Sequence, residues 1–236
     1  MSEIYFVRHG QASFGKDNYD VLSERGIKQS NVLGEYLIKL QLSFDTLYSG
    51  EMKRQRDTAS HIISVYKEKG LSLPDLQIFS EFNEYNFQAV MLSLLPEMIK
   101  DDPSLNEDIS NMIEDKKSFQ KIFQRAMFRW ISGNYDKPDI LKWDVFKQRV
   151  NSGITRVMDE NGSKKKILIF SSGGTLSAIM QMALGLSDEE TTRICWQICN
   201  ASLTKFLYNS QRIILSSFNV TSYLELENQI DLITYR

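Results

Sequence analysis

Six short apolar runs, each bounded by glycine, serine or charged residues, occur at 4–7, 46–48, 76–79, 167–170, 203–208 and 213–218, and each is read as a β-strand. The runs 4–7 and 167–170 are apolar at every position, the pattern of strands covered on both faces in a largely parallel sheet. Between the runs the spacing changes to the helical period. Val32, Leu33, Tyr36, Leu37 and Leu40 share one side of a helix for which Ser23 is the expected N-cap. Further helical patterns cover 54–69, 143–160 and 175–184, and Ser187 followed by Glu190 has the form of a capping box. Strands alternating with helices predict a doubly wound α/β fold, with helices flanking the sheet.

From 85 to 138 the strand signals stop and only helical patterns remain, so this stretch is expected to be a helical cap inserted into a single domain spanning 1–236. Its clearest helix puts Phe119, Ile122, Phe123, Ala126, Met127 and Trp130 on one side and Lys117, Lys121, Arg125 and Arg129 on the other. The basic stripe is expected to be a solvated face balanced by the neighbouring acids Asp101, Asp102, Glu107, Asp108, Glu114 and Asp115. The apolar Phe87, Val90, Met91 and Leu94 fit a helix face packed on the sheet, with a wall for a hydrophobic leaving group as the rarer alternative.

The net charge of −2 supplies no bulk field for a polyanion, so neither nucleic acid nor an acidic membrane is an expected partner. Arg8 interrupts the first apolar run before it reaches signal length, and no later run approaches a membrane span, so a cytoplasmic protein is expected. Cys195 and Cys199 are spaced as neighbours on one helix face and are read as two buried thiols. Asn200-Ala-Ser and Asn219-Val-Thr fit a glycosylation sequon but are taken as chance or turn chemistry.

Four segments at strand ends carry the candidate chemistry. Arg8-His9-Gly10 follows the first strand, at the edge where open α/β sheets bind ligands. A neutral imidazole can attack phosphorus, an arginine fork suits phosphate oxygens, and a glycine lets backbone approach. Arg54 stands on the first turn of the helix after the second strand, where the helix N-terminus already favours an anion. After the third strand, Phe82-Asn83-Glu84-Tyr85 offers a carboxyl group for proton transfer, with Glu81 as an equal rival on spacing. After the fourth strand, Ser171-Ser172-Gly173-Gly174-Thr175 leads into a helix and presents backbone amides to an anion. It is neither a P-loop nor a nucleophile elbow. His61, mid-helix, is read as structural.

Taken together, these segments resemble the histidine phosphatase superfamily, the phosphoglycerate mutase-like proteins, over nearly the whole chain. The resemblance is strongest to a bacterial branch that opens Arg-His-Gly-Gln-Ala-Ser-Phe-Gly and continues Tyr-Asp-x-Leu-Ser, as residues 8–15 and 19–23 do. The stretch from Lys53 to Ala59 is similar to the Arg-Ala-x-Gln-Thr-Ala segment of that superfamily, and Asn200 to Thr204 to its late strand signature. The resemblance implies His9 as phosphoryl acceptor, Glu84 as proton donor, and Arg8, Arg54, Ser172 and Gly173 around the phosphate, with Gln11 at the entrance. It implies no metal and no cofactor.

One departure stands out. Ser172 occupies the place of the histidine in the superfamily's late Ser-His-Gly-Gly, and Tyr223 stands where similar chains carry a histidine shortly after Phe-Asn. Loss of one preorganised donor costs about 10² to 10³ in rate, so reduced turnover is the expectation. The expected activity is hydrolysis of a small phosphorylated metabolite. A non-catalytic phospholigand-binding protein is the alternative class. A mutase ranks third, because 85–98 contains no basic residue to hold a second anionic group.

Overall fold

A computed structural model describes residues 1–13, 20–112, 114–227 and 229–235. Phe14, Gly15 and Tyr19 of the motifs above lie outside the described residues. The six expected strands are present as β1 (Ser2–Arg8), β2 (Thr46–Ser49), β3 (Leu76–Ile78), β4 (Lys166–Ser171), β5 (Leu203–Tyr208) and β6 (Ile213–Val220). They form one sheet in the order β3-β2-β4-β1-β5-β6, in which only β5 runs against the others. The central strands explain their own sequences. Ile4 and Phe6 of β1 and Ile167 and Ile169 of β4 enter one core, while Tyr5, Val7, Leu168 and Phe170 enter the other. A strand buried on both faces has no position at which a polar side chain could reach water.

The smaller core lies under α1 (Glu24–Lys39) and α2 (Lys53–Glu68), through Leu33, Leu37, Ala59, Ile62 and Tyr66. The short helix α9 (Ser222–Glu225) adds Tyr223 and Leu224 to that side. The larger core lies under α6 (Trp143–Asn161) and α7 (Gly173–Leu184) and continues without a break into the cap. The stretch 85–138 folds as α3 (Phe87–Asp101), α4 (Leu105–Asn111) and α5 (Lys116–Ile131). Ile122, Ala126, Met127 and Trp130 of α5 and Val90, Met91 and Leu94 of α3 join the core. On the outer face of α5, Lys121, Arg125 and Arg129 pair with Asp108, Asp102 and Asp101, so three of the four cations of the basic stripe are balanced by its own neighbours. Among the described residues no helix is long and apolar enough to cross a membrane.

The helix ends follow their sequence signals. Ser23 accepts from the Gly26 amide at the start of α1. Ser187 and Glu190 make the reciprocal capping box that opens α8 (Asp188–Cys195). The cysteine expectation needs correction: α8 ends at Cys195, so Cys199 lies beyond it and the two do not share a helix face. Cys199 is buried, whereas Cys195 is only partly covered.

Ser187→Ala removes one half of the capping box and is expected to lower the unfolding free energy by about 1 kcal/mol. The urea midpoint should fall while the denaturant slope stays the same.

Candidate active site

Because β1, β2 and β4 are parallel, their carboxyl ends meet along one edge of the sheet, and β5 begins there because it is reversed. This edge holds a cavity of about 170 Å³ lined by Arg8, His9, Arg54, Glu84 and Gly173, among others. The first, second and third segments singled out in the sequence therefore converge through one residue or more each, and the fourth through its glycines.

His9 is held on all sides. Its backbone amide donates to Ser171, and its carbonyl accepts from the Ala201 amide at 3.2 Å and from Asn200 Nδ2 at 3.2 Å. The ring Nδ1 lies 2.7 Å from the Gly10 carbonyl oxygen, which can only accept, so Nδ1 carries the proton. Nε2 is then the bare nitrogen, and it accepts from Arg54 Nε at 3.1 Å. Burial comes first, and the Arg54 and Arg8 charges next, in pushing His9 well below its ordinary value; the Gly10 contact opposes them.

Arg54 is 6 % exposed, far from the solvated patch that Lys53-Arg54-Gln55-Arg56 suggests as a string of letters. Asp20 fixes it. One Asp20 oxygen accepts from the Lys53 amide at 2.7 Å, and the other meets Arg54 Nη1 at 2.8 Å. The N-cap residue of α2, Met52, makes no side-chain cap, so Asp20 caps that helix from another segment while aiming the guanidinium. Arg8 lines the cavity too. Its terminal nitrogens donate to the carbonyls of Ile198 and Tyr235, and its buried Nε has no partner among the described residues.

Glu84 and its rival Glu81 are separated by the fold. Glu81 turns to Arg156 at 3.4 Å, while Glu84 lines the cavity. Glu84 Oε2 accepts from the Gly174 amide at 2.7 Å. A Cβ at Gly174 would stand 2.3 Å from Glu84 Oε1 and 2.7 Å from Tyr85 Cε1, so any larger residue would push both side chains aside. Burial raises the Glu84 carboxyl above its ordinary value against the lowering pull of the Gly174 amide, Arg54, the Tyr85 amide and Arg8. The loop before it is braced: the Phe82 carbonyl accepts from Ser171 Oγ at 2.6 Å and Gln55 Nε2 at 3.1 Å, and the Asn83 carbonyl from Arg149.

Three expectations shift. Ser172 does not line the cavity; it is buried, and its hydroxyl accepts from Gln55 Nε2 at 2.9 Å. Gln11 is also outside the lining, with its side-chain oxygen accepting from Ser23 Oγ at 2.9 Å and its amide donating to Gln29. Gly10 is required by packing rather than by a ligand, because a Cβ would stand 2.4 Å from the Gly26 carbonyl of α1. Tyr223 belongs to the opposite core, where its hydroxyl donates to the Ala201 carbonyl. The sequence did not single out Asp20, Gln55 and Arg149 around the site, nor Gln120, Trp196 and Tyr235 in the cavity lining. Asn200, noted only within a strand signature, holds the His9 carbonyl. Cys195 also lines the cavity, its thiol pushed up to about 11 by burial first and the Glu84 charge second. Among the described residues, no three His, Cys, Asp or Glu side chains are grouped as metal ligands.

The geometry generates a coupled prediction. Arg54→Ala is expected to weaken vanadate or phosphate inhibition by about ten- to a hundredfold, the worth of a charge-assisted hydrogen bond. Asp20→Ala should weaken it less, and the double variant should be no worse than Arg54→Ala alone. Full additivity of the two losses in the inhibition constants would mean that Asp20 does not act through Arg54.

A phosphoglycerate mutase of the 2,3-bisphosphoglycerate-dependent type from Treponema denticola is 23% identical over 201 residues, which cover 79% of this chain and 80% of the relative. A structure of a mutant phosphoserine phosphatase from Entamoeba histolytica, in complex with phosphoserine, matches with a TM-score of 0.64 at 18% identity, covering 95% of this chain and 100% of that one. The alpha-ribazole phosphatase of Shigella flexneri matches with a TM-score of 0.62 at 21% identity, covering 92% and 96% respectively. Residues 4–127 and 89–221 match the sequence model of the histidine phosphatase superfamily, branch 1, and the chain belongs to that superfamily.

Proposed function

We propose that the protein is a phosphomonoesterase in which His9 accepts the phosphoryl group of a small phosphorylated metabolite. The observation that carries this reading is the fixed tautomer of His9: Nδ1 is tied to Gly10 and Nε2 is bare beside Arg54, in a cavity that also holds Glu84. In the first step Nε2 bonds to phosphorus while the ester P–O bond breaks. The leaving oxygen takes the proton of Glu84. Arg54 Nε, which at rest donates to Nε2, then donates to a phosphate oxygen, and Arg8 meets the same group. In the second step water attacks phosphorus, Glu84 accepts its proton, and the P–N bond breaks to regenerate neutral His9.

The opposite pKa shifts suit these roles. A nucleophilic imidazole must be neutral, and a depressed value keeps it so as pH falls. A proton donor must be protonated, and a raised value keeps it so as pH rises. Ser172 lies outside the cavity with its hydroxyl accepting from Gln55, so it does not replace the donor that a histidine would supply at this place, and reduced turnover remains the expectation.

Incubation with a labelled phosphodonor should leave acid-labile, base-stable label that His9→Ala lacks. Binding of vanadate without label or turnover would favour the binding-only alternative. Glu84→Gln should lower kcat by about 10² to 10⁴. In the unaltered protein kcat/KM should fall on the acid side only well below the ordinary imidazole value of 6.5, as His9 protonates, and on the alkaline side as Glu84 ionises above its ordinary 4.5. The alkaline limb should be missing in Glu84→Gln, and its persistence would remove Glu84 from proton transfer.

A further inference from the structure

We infer that Gln55 is a positioning residue for Glu84: its side-chain amide sets where the acid stands relative to His9, and with that the protonation of the leaving oxygen. The inference rests on the phosphatase reading above. Gln55 is fully buried on the first turn of α2, one position after Arg54. Its Nε2 lies 3.1 Å from the Phe82 carbonyl oxygen and 2.9 Å from Ser172 Oγ, with Ser171 Oγ farther off at 3.4 Å. A carbonyl oxygen can only accept, so the NH2 end faces it, and its two hydrogens go to the two nearer partners. Those partners stand at the two ends of one contact. Phe82 lies two residues before Glu84 on the loop that carries it. Ser172 is the N-cap of α7, the helix whose Gly174 amide donates to Glu84 Oε2 at 2.7 Å. One amide therefore fixes both the loop that delivers the carboxyl group and the helix start that holds it. It does so from the same turn of α2 that brings Arg54 Nε to His9 Nε2 at 3.1 Å.

Packing alone does not account for this side chain. Gln55 Oε1 is buried and has no hydrogen-bond partner among the described residues. A buried amide oxygen without a donor is costly, and methionine would fill similar space without it, so the glutamine suits its place through its N–H groups. Gly50, directly after β2, makes room for them. A Cβ there would stand 2.1 Å from Gln55 Oε1 and 2.8 Å from the Phe82 carbonyl oxygen, so a side chain at this position would drive amide and carbonyl apart. Ser171 Oγ at 2.6 Å and Thr175 Oγ1 at 3.4 Å also reach the Phe82 carbonyl. Of the three donors, Gln55 is the one that engages Ser172 as well.

The test uses two esters of similar shape. Phenyl phosphate has a poor leaving group that needs a proton in the transition state, whereas the leaving group of p-nitrophenyl phosphate departs with little help. Their kcat/KM values report phosphoryl transfer to His9, because release of the phenol makes that step irreversible. Gln55→Met keeps the volume and drops both donors. It should lower kcat/KM for phenyl phosphate by about ten- to a hundredfold and for p-nitrophenyl phosphate by about threefold or less. Gly50→Ala keeps the amide but displaces it, and should show the same preference for the better leaving group. Combined with Glu84→Gln, Gln55→Met should cost phenyl phosphate nothing beyond the loss in Glu84→Gln alone. Equal losses for the two esters in both Gln55→Met and Gly50→Ala, or losses that add fully to those of Glu84→Gln, would overturn the inference while leaving the phosphatase intact. No phenol release from either ester by the unaltered protein, with no label on His9, would overturn the phosphatase reading itself, and this inference with it.

Discussion

The site depends on keeping one buried imidazole neutral and facing the right way. Burial and two guanidinium groups both act against the protonated ring, and the Gly10 carbonyl decides which nitrogen carries the remaining proton. In the proposed function, the same cations that would gather a phosphate therefore also keep the imidazole unprotonated. Electrostatics that would be wasteful for a salt bridge serve a second purpose here, because neither Arg8 nor Arg54 is neutralised by the histidine it flanks.

That arrangement imposes demands on its surroundings. A buried guanidinium needs an acceptor, and Asp20 supplies one to Arg54 while also capping α2. The Glu84 carboxyl is raised despite two nearby cations, because its burial outweighs them and the Gly174 amide, as the proton-donor role proposed for it would require. The loop that carries Glu84 is in turn fastened through the Phe82 carbonyl to β4 and α2, by Ser171 and Gln55. Glu84, the strand β4 beside His9 and the helix that carries Arg54 are thus tied to one another through side chains outside the cavity lining. Ser172 and Gln55 belong to that fastening.

Much of the fold was legible because periodicity is a local signal: each strand run and the two Ser caps appear in the letters and recur in the structure. His9, Arg8, Arg54 and Glu84 were also legible, as chemically suited residues at consecutive strand ends. What failed was partner choice. Glu81 and Glu84 are equivalent by spacing, and the residue that occupies Glu81, Arg156, lies far along the chain. Asp20 reads as an ordinary turn acid until α2 is folded against it. Cys199 read as helical because no letter marks the end of α8 at Cys195. Gly10 was assigned to ligand approach, whereas its constraint comes from a carbonyl on a helix sixteen positions away in sequence.

The reversal of β5 has a further bearing on how the protein becomes competent. It returns residues near 200 to the tip of the first strand, where Asn200 and Ala201 grip the His9 carbonyl, while Ile198 and Tyr235 receive Arg8. The ring and its clasp lie 191 positions apart in the chain, so His9 is oriented only once β5 has paired with β1, and local structure around the first strand cannot assemble the site by itself.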